Sequence, residues 1–334
     1  MELLERGPLL LELSRLLGEA SEGRGRLAFV GGEAGIGKTA LVRRFGDMVR
    51  GQAPVLLGGC DPLSTPQPLG PLLDIADRLP GASIRLADGK DQLFRDVLAS
   101  LSGTPRPLVV VFEDAHWADE ATLDLLRFLG RRIDGCRALL IATYRDDEVG
   151  DRHPLRTVLG DVATAPGVRR LTLAPLSPEG VRALAAGSAL DADELFRRTG
   201  GNPFFVTEIL AAGGESIPLT VRDAVLSRAA RLPPEARSVL DAAAVIGSRS
   251  EPWLLLEVTG SDPAALEACL AAGALCLQDE VLAFRHELAR EAVLDVLSPA
   301  RGLALHRAVL DALRAARPGP AELARLAHHA EACG

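Results

Sequence analysis

Lysine is almost missing from this chain: of 37 basic residues 35 are arginine, and the two lysines are Lys38 and Lys90. Such a bias reflects a GC-rich genome, so a retained lysine is informative where chemistry prefers a compact ammonium. Cysteine is sparse as well. Cys60, Cys136, Cys269, Cys276 and Cys333 are odd in number and form no C-x-x-C pair. That excludes a disulfide framework, gives no basis for a zinc site and fits a reducing compartment. No apolar run approaches the roughly 18 residues of a membrane span; the strongest, Leu108–Phe112 and Ala138–Ala142, are strand-sized. Positive charge is in deficit, with a net charge of −8 and a pI near 5.4. This argues against a surface that grips nucleic acid or anionic lipid. The opening Met-Glu-Leu-Leu-Glu lacks the basic region and cleavage site of a signal peptide. Disordered, collagen-like, membrane and secreted classes are excluded, and a cytoplasmic protein is expected.

What is present is 334 residues with 48% hydrophobic content, enough for two or three domains with their own cores. Met1–Ala20 reads as an amphipathic helix interrupted at Gly7-Pro8. From there to about Leu173, short apolar runs alternate with helical stretches. Leu27–Val30, Val55–Leu57, Leu108–Phe112, Leu139–Thr143 and Arg170–Leu173 read as buried strands, with helices over 37–50, 69–79, 91–101 and 120–133. Alternation of this kind predicts an α/β fold, a parallel sheet wrapped by helices.

After Pro175 the strands stop. Helices at 178–187, 191–199 and 203–212 form a small helical unit, and Gly213–Pro218 separates it from the next. That one reads as helices over 220–231, 234–245, 252–258 and 263–272, then strands Ala274–Gln278 and Val281–Phe284 joined at Asp279-Glu280, then a helix from His286. Helices followed by a hairpin suggest a winged helix. Two amphipathic helices broken at Pro318-Gly319-Pro320 complete the chain. The expected domains are therefore 1–175, 176–215, 216–300 and 301–334.

Gly32-Glu33-Ala34-Gly35-Ile36-Gly37-Lys38-Thr39 is G-x-x-x-x-G-K-T, with a strand before it and an amphipathic helix after it. Glycines let the backbone curl so that successive N–H groups aim at phosphate oxygens, and the helix N-terminus adds partial positive charge. Lys38 would reach the β- and γ-phosphates, and the Thr39 hydroxyl would sit on Mg²⁺. The matching acids are Glu113 and Asp114, at the tip of Val109-Val110-Val111-Phe112. Glu113 holds the metal-organising position and Asp114 the position that polarises the attacking water. Glu113 is one methylene longer than the more usual Asp, so its metal contact could run through water. Arg145 ends another buried strand; it either senses the γ-phosphate or pairs with Asp146 or Asp147.

The phosphate loop, Glu113-Asp114-Ala115-His116-Trp117-Ala118-Asp119 and Gly200-Gly201-Asn202-Pro203-Phe204-Phe205 together resemble the signal-transduction ATPases with numerous domains. The nearest resemblance is to the AAA-type module of the large LuxR-like, MalT-like transcriptional regulators. It implies a nucleotide-binding domain, a helical lid, a winged helix and helical sensor repeats. In the switch expected here, ADP held between core, lid and winged helix keeps a closed form, and exchange for ATP gives an open form that self-associates. In the family, the proline of Gly201-Asn202-Pro203 lies against adenine; helix capping alone also explains the tripeptide. Phe284-Arg285-His286-Glu287-Leu288 is similar to a Met-His-Asp segment whose histidine touches the β-phosphate of ADP. Arg285 and Glu287 depart from that pattern, so His286 is either that contact or an ordinary helix cap. His116 and Trp117 read as packing groups. Arg6-Gly7 stands where the family often has Arg-Glu and is left unassigned.

The expected function is an ATP/ADP-operated switch with Mg²⁺ and slow hydrolysis. A continuously cycling AAA-type remodeller and a scaffold with structural nucleotide are the alternatives. No direct DNA binding is expected: Ser261–Leu270, the recognition-helix position, carries two acids and no base. The chain is expected to be the amino-terminal part of a longer regulator, since one helical hairpin cannot bury a repeat's apolar face; DNA would be reached through a domain beyond residue 334.

Overall fold

The structure is a computed structural model describing residues 3–63, 65–80, 89–214, 216–316 and 323–333. The chain divides into two compact units, Met1–Ala174 and Pro175–Gly334. Among the described residues no helix is long and apolar enough to cross a membrane.

The first unit is built on five parallel strands: β1 (Arg26–Gly31), β2 (Val55–Gly59), β3 (Leu108–Glu113), β4 (Ala138–Tyr144) and β5 (Val168–Thr172). Their order is β2-β3-β4-β1-β5. The five apolar runs predicted from the sequence are these strands, each shifted or extended by one to two residues. β1 and β4 are buried along their whole length, as continuous apolar runs in a sheet covered on both faces require.

Alternation within the strands then assigns the faces. Ala28, Val30, Val109, Val111, Leu139 and Ile141 pack with α1 (Gly7–Ser21) and α2 (Lys38–Val49). Leu27, Phe29, Val110, Phe112, Leu140 and Ala142 pack with α4 (Lys90–Ser102), α5 (Glu120–Gly130) and α6 (Pro154–Asp161). Of these, α6 was not foreseen. Two further details differ from expectation. Gly7-Pro8 does not interrupt the first helix but begins it, because proline in the first turn forfeits no helical hydrogen bond. The stretch 69–79 is not one helix but α3 (Gly70–Leu73) and a 3₁₀ turn, Ala76–Arg78. Asp74, between them, accepts a hydrogen bond from the Gly59 N–H at 3.0 Å.

In the second unit, α7 (Pro178–Leu184), α8 (Ala192–Thr199) and α9 (Pro203–Ala212) come first. Then follow α10 (Leu219–Ala229), α11 (Pro234–Ile246), α12 (Pro252–Thr259) and α13 (Pro263–Ala271). The hairpin of β7 (Cys276–Gln278) and β8 (Val281–Ala283) turns at Asp279 and Glu280, both at positive φ, 49° and 67°. A type I′ turn demands this pair. An unforeseen short strand, β6 (Arg249–Ser250), adds to β8. α14 (Glu287–Asp295), α15 (Pro299–Ala315) and α16 (Leu323–Cys333) complete the unit. On α15, Leu305, Val309 and Leu313 are buried in the core with α11 and α12, whereas Leu303, and Leu323 on α16, stay exposed. The predicted break at Pro318-Gly319-Pro320 lies outside the described residues.

Candidate nucleotide site

Strand order places the chemistry. β4 lies between β1 and β3, so the strand ending at Arg145 separates the phosphate-loop strand from the acid-bearing one. Glu113 is therefore two strands away from the loop strand, not its direct neighbour. Because all strands run parallel, their C-terminal ends open on one edge of the sheet, where open α/β sheets bind ligands.

The loop 32–37 leads from β1 into α2, and Gly37, at φ 100°, is the N-cap of α2. Gly32 is at φ 153°, and a Cβ there would come within 2.9 Å of the Ile36 side chain and 3.2 Å of the Leu173 carbonyl oxygen. Glycine is demanded at Gly32 by conformation and by space. Ile36 is fully buried and anchors the loop beneath its crest. Lys38 is only 7% exposed, and its Nζ donates to the carbonyls of Gly32 (2.8 Å) and Glu33 (2.9 Å). Burial lowers its pKa while Asp114 pulls the other way, so a cation is held in a desolvated place where charge interactions are strong. Thr39 is exposed on the first turn of α2.

At the end of β3 the chain turns sharply. Asp114 adopts a left-handed conformation, φ 55° and ψ 43°, and its N–H donates to Thr143 Oγ1 at 3.0 Å. Burial raises the Asp114 pKa, opposed by Arg145 and Lys38. Lys38, Asp114 and Arg145 thus form one electrostatic cluster. The Glu113 Oε1 is buried with no hydrogen-bond partner among the described residues. Ala115–Trp117 make one 3₁₀ turn, and Asp119 caps α5 by accepting from the N–H groups of Ala121 (2.9 Å) and Thr122 (3.1 Å).

Arg145 is ion-paired with Glu148 at 2.6 Å, and its guanidinium lies over the Trp117 ring at 4.6 Å. His116 is buried against Trp117, with ring centroids 4.5 Å apart. Its Nδ1 accepts from the Arg145 N–H at 3.4 Å, and burial drives its pKa down to about 3. A neutral, enclosed imidazole is a packing group here, as the sequence implied.

Two contributors escaped the sequence reading. Thr143 sets the backbone of Asp114. Arg6 is 5% exposed and spans to the loop, its Nη2 donating to Ile36 O (3.3 Å) and Ala174 O (2.9 Å). The basic residue ahead of the first helix was the one available signal for Arg6; a threonine in a strand gave none.

These residues fit a Mg²⁺–nucleotide: a loop whose Gly32 leaves no room for a Cβ, a buried ammonium, an exposed Thr39 and a buried Glu113 oxygen without a hydrogen-bond partner among the described residues.

Pro203 and His286 belong to the second unit. Gly200 and Gly201 are left-handed, φ 58° and 76°. Asn202, buried, accepts from the Phe204 N–H at 3.1 Å, and Pro203 starts α9. The capping account of this tripeptide is what the backbone does. His286 precedes α14 but makes no side-chain cap hydrogen bond. Its ring instead meets Phe205 edge-on, centroids 4.9 Å apart, and a Cβ on Gly200 would lie 2.7 Å from its Nδ1.

Comparison with known proteins agrees with this geometry. Residues 2–141 match the AAA ATPase domain family. An uncharacterised protein of Rhizobium meliloti is 27% identical over 93% of this chain, which spans only 37% of that relative's length. The Walker-type ATPase of Pyrococcus abyssi superposes with a TM-score of 0.57 at 17% identity, covering 87% of this chain and 96% of that one. The ORC2 protein of Aeropyrum pernix, solved in ADPNP–ADP complexes, gives 0.54 at 15% identity, covering 94% and 96%. The fold is that of a P-loop NTPase, and the match to the AAA ATPase domain family lies within its first unit.

Proposed function

We propose that the chain is a nucleotide-operated regulatory switch that binds ATP and ADP with Mg²⁺ and hydrolyses ATP slowly. The observation that carries the nucleotide part is the buried Lys38 ammonium. It is held by Gly32 O and Glu33 O and sensed by Asp114, and such a desolvated cation in a glycine cradle suits a polyphosphate.

In this reading the loop N–H groups and Lys38 bind and orient the phosphates, and the Thr39 hydroxyl and Glu113 hold the metal. A bound Mg²⁺ supplies charge neutralisation on the phosphate oxygens. Asp114 orients the water and accepts its proton, in an orientation set by the Thr143 hydrogen bond. Arg145, steered by Glu148 and Trp117, answers to the γ-phosphate.

The switch part rests on the second unit. The contact of His286 with Phe205 and Gly200 joins the Gly200–Phe205 motif to the start of α14. That supports a lid and a winged helix acting together, with Pro203 as the adenine contact and His286 as the residue that distinguishes ADP. The place of such a chain in a longer LuxR-like or MalT-like regulator, with self-association in the ATP state, is part of the same proposal.

The test is the nucleotide that copurifies with the protein together with its turnover. Tightly held ADP and slow turnover support the switch. Fast continuous turnover would make the protein a cycling remodeller, and bound nucleotide without turnover would make it a scaffold.

A further inference from the structure

Three of the chain's six histidines meet at one place, the pairing of α15 with α16. His306 projects from α15, and the adjacent His328 and His329 lie on α16. One ring nitrogen from each lies within 4.8 Å of the other two. The His306 and His329 Nδ1 atoms are 2.8 Å apart, so one of the two must carry the proton they share as a hydrogen bond.

Residues at i and i+1 on a helix point about 100° apart, so apolar packing does not bring consecutive side chains onto one neighbour. Here both rings flank His306, at centroid distances of 5.8 Å and 5.0 Å. His329 is 1% exposed, and its Nε2 is buried with no hydrogen-bond partner among the described residues. A buried polar nitrogen left without a partner costs stability. His328 is exposed, which leaves the cluster an approach from solvent.

We propose that His306, His328 and His329 bind a divalent transition metal of the zinc class, with water completing the coordination and the ion tying α16 to α15. Imidazole nitrogen is the common ligand for such ions, and a three-histidine set with an open position is an established arrangement for them. At Zn–N distances of about 2.0–2.1 Å, tetrahedral ligand atoms lie about 3.4 Å apart. One ring nitrogen from each already lies within 4.8 Å of the others, so rotation of the side chains can bring the trio to that spacing. The one neighbouring cation on α16, Arg325, is engaged by Glu251 through two hydrogen bonds of 2.7 Å and 2.9 Å, which offsets its repulsion of an incoming ion. The sequence hid this site because its ligands come from a lone histidine and an adjacent pair 22 residues apart, a spacing no zinc motif uses.

The experiment titrates the full 334-residue chain, chelator-treated and with any affinity tag removed, with Co²⁺ and then Zn²⁺. It is run in a thiol-free reductant with excess Mg²⁺ to saturate oxygen-ligand sites. The expected result is saturable binding of one Co²⁺ with a visible d–d band of low-coordinate nitrogen ligation, displaced by Zn²⁺. The unfolding midpoint should rise in the presence of metal. His328→Gln, at an exposed position, should weaken binding at least about tenfold while leaving the fold intact. His306→Gln should remove the band. Absence of saturable binding would overturn the proposal, as would a band that survives His306→Gln with His328→Gln, or a thiolate charge-transfer band placing the ion on the cysteines. In any of these outcomes the trio is an interhelical hydrogen bond with a stacked neighbour.

Discussion

His286 meets the edge of Phe205, 81 positions earlier in the second unit, at a centroid distance of 4.9 Å and so joins two sequence motifs. If that contact relays the nucleotide state, replacing His286 with alanine should loosen ADP more than ATP. Gly200→Ala should reproduce the effect without touching the histidine. Its Cβ would sit 2.7 Å from His286 Nδ1 at a φ of 58°, which displaces the ring and costs about 1–2 kcal/mol of strain. Competition binding of the two nucleotides to both variants is the measurement. Equal effects on ADP and ATP would reduce His286 to packing.

Lys38→Ala should lower nucleotide affinity or turnover by about two orders of magnitude and leave the thermal unfolding midpoint close to the parent's. The lysine's hydrogen bonds go to Gly32 O and Glu33 O, loop carbonyls that water can satisfy after truncation. Titration with a fluorescent ATP analogue beside a melting curve checks both halves. Full affinity in the variant would remove the basis of the proposed site.

Asp114→Asn should keep nucleotide and lose turnover, whereas Glu113→Gln should weaken the Mg²⁺-dependent part of binding. Steady-state phosphate release, compared with binding in the presence and absence of Mg²⁺, separates the two roles. Parental turnover in Asp114→Asn would reverse the assignment.

Thr143→Val should slow hydrolysis with little change in nucleotide affinity. It removes the acceptor that fixes the left-handed turn at Asp114, at a stability cost of about 1–3 kcal/mol for an unpaired buried N–H. Thr143→Ser, which keeps the oxygen, should restore both. A valine variant of parental turnover would make the hydrogen bond structural only.

Acid should destabilise the fold through His116. Burial pushes its pKa down to about 3 in the folded chain against the ordinary 6.5 of histidine, so between these values the unfolded chain takes up a proton that the folded chain refuses. The stability contributed is complete above pH 6.5 and is lost as pH falls towards 3. The slope is up to about 1.4 kcal/mol per pH unit. Urea unfolding at a series of pH values should show a shallower slope for His116→Gln than for the parent.

The alternation of apolar strands with helical stretches, and a glycine loop holding one of only two lysines, determined by themselves a parallel sheet with a turn of phosphate-loop spacing. Burial on both faces admits no other pattern for Val109-Val110-Val111-Phe112 or Leu139-Leu140-Ile141-Ala142. The cap at Asn202 and the turn at Asp279-Glu280 were equally local, because a cap or a tight turn is satisfied within a few residues. Strand order was not local, and only the tertiary structure set β4 between β1 and β3 and so brought Arg145 into the cluster of Lys38 and Asp114. Nor could spacing reveal that Thr143 accepts from Asp114, that Arg6 holds Ile36 from 30 positions away, or that three scattered histidines converge. Each of these is a contact between groups distant in sequence whose partners are chosen by the packing of whole elements, and no short stretch of sequence encodes that choice.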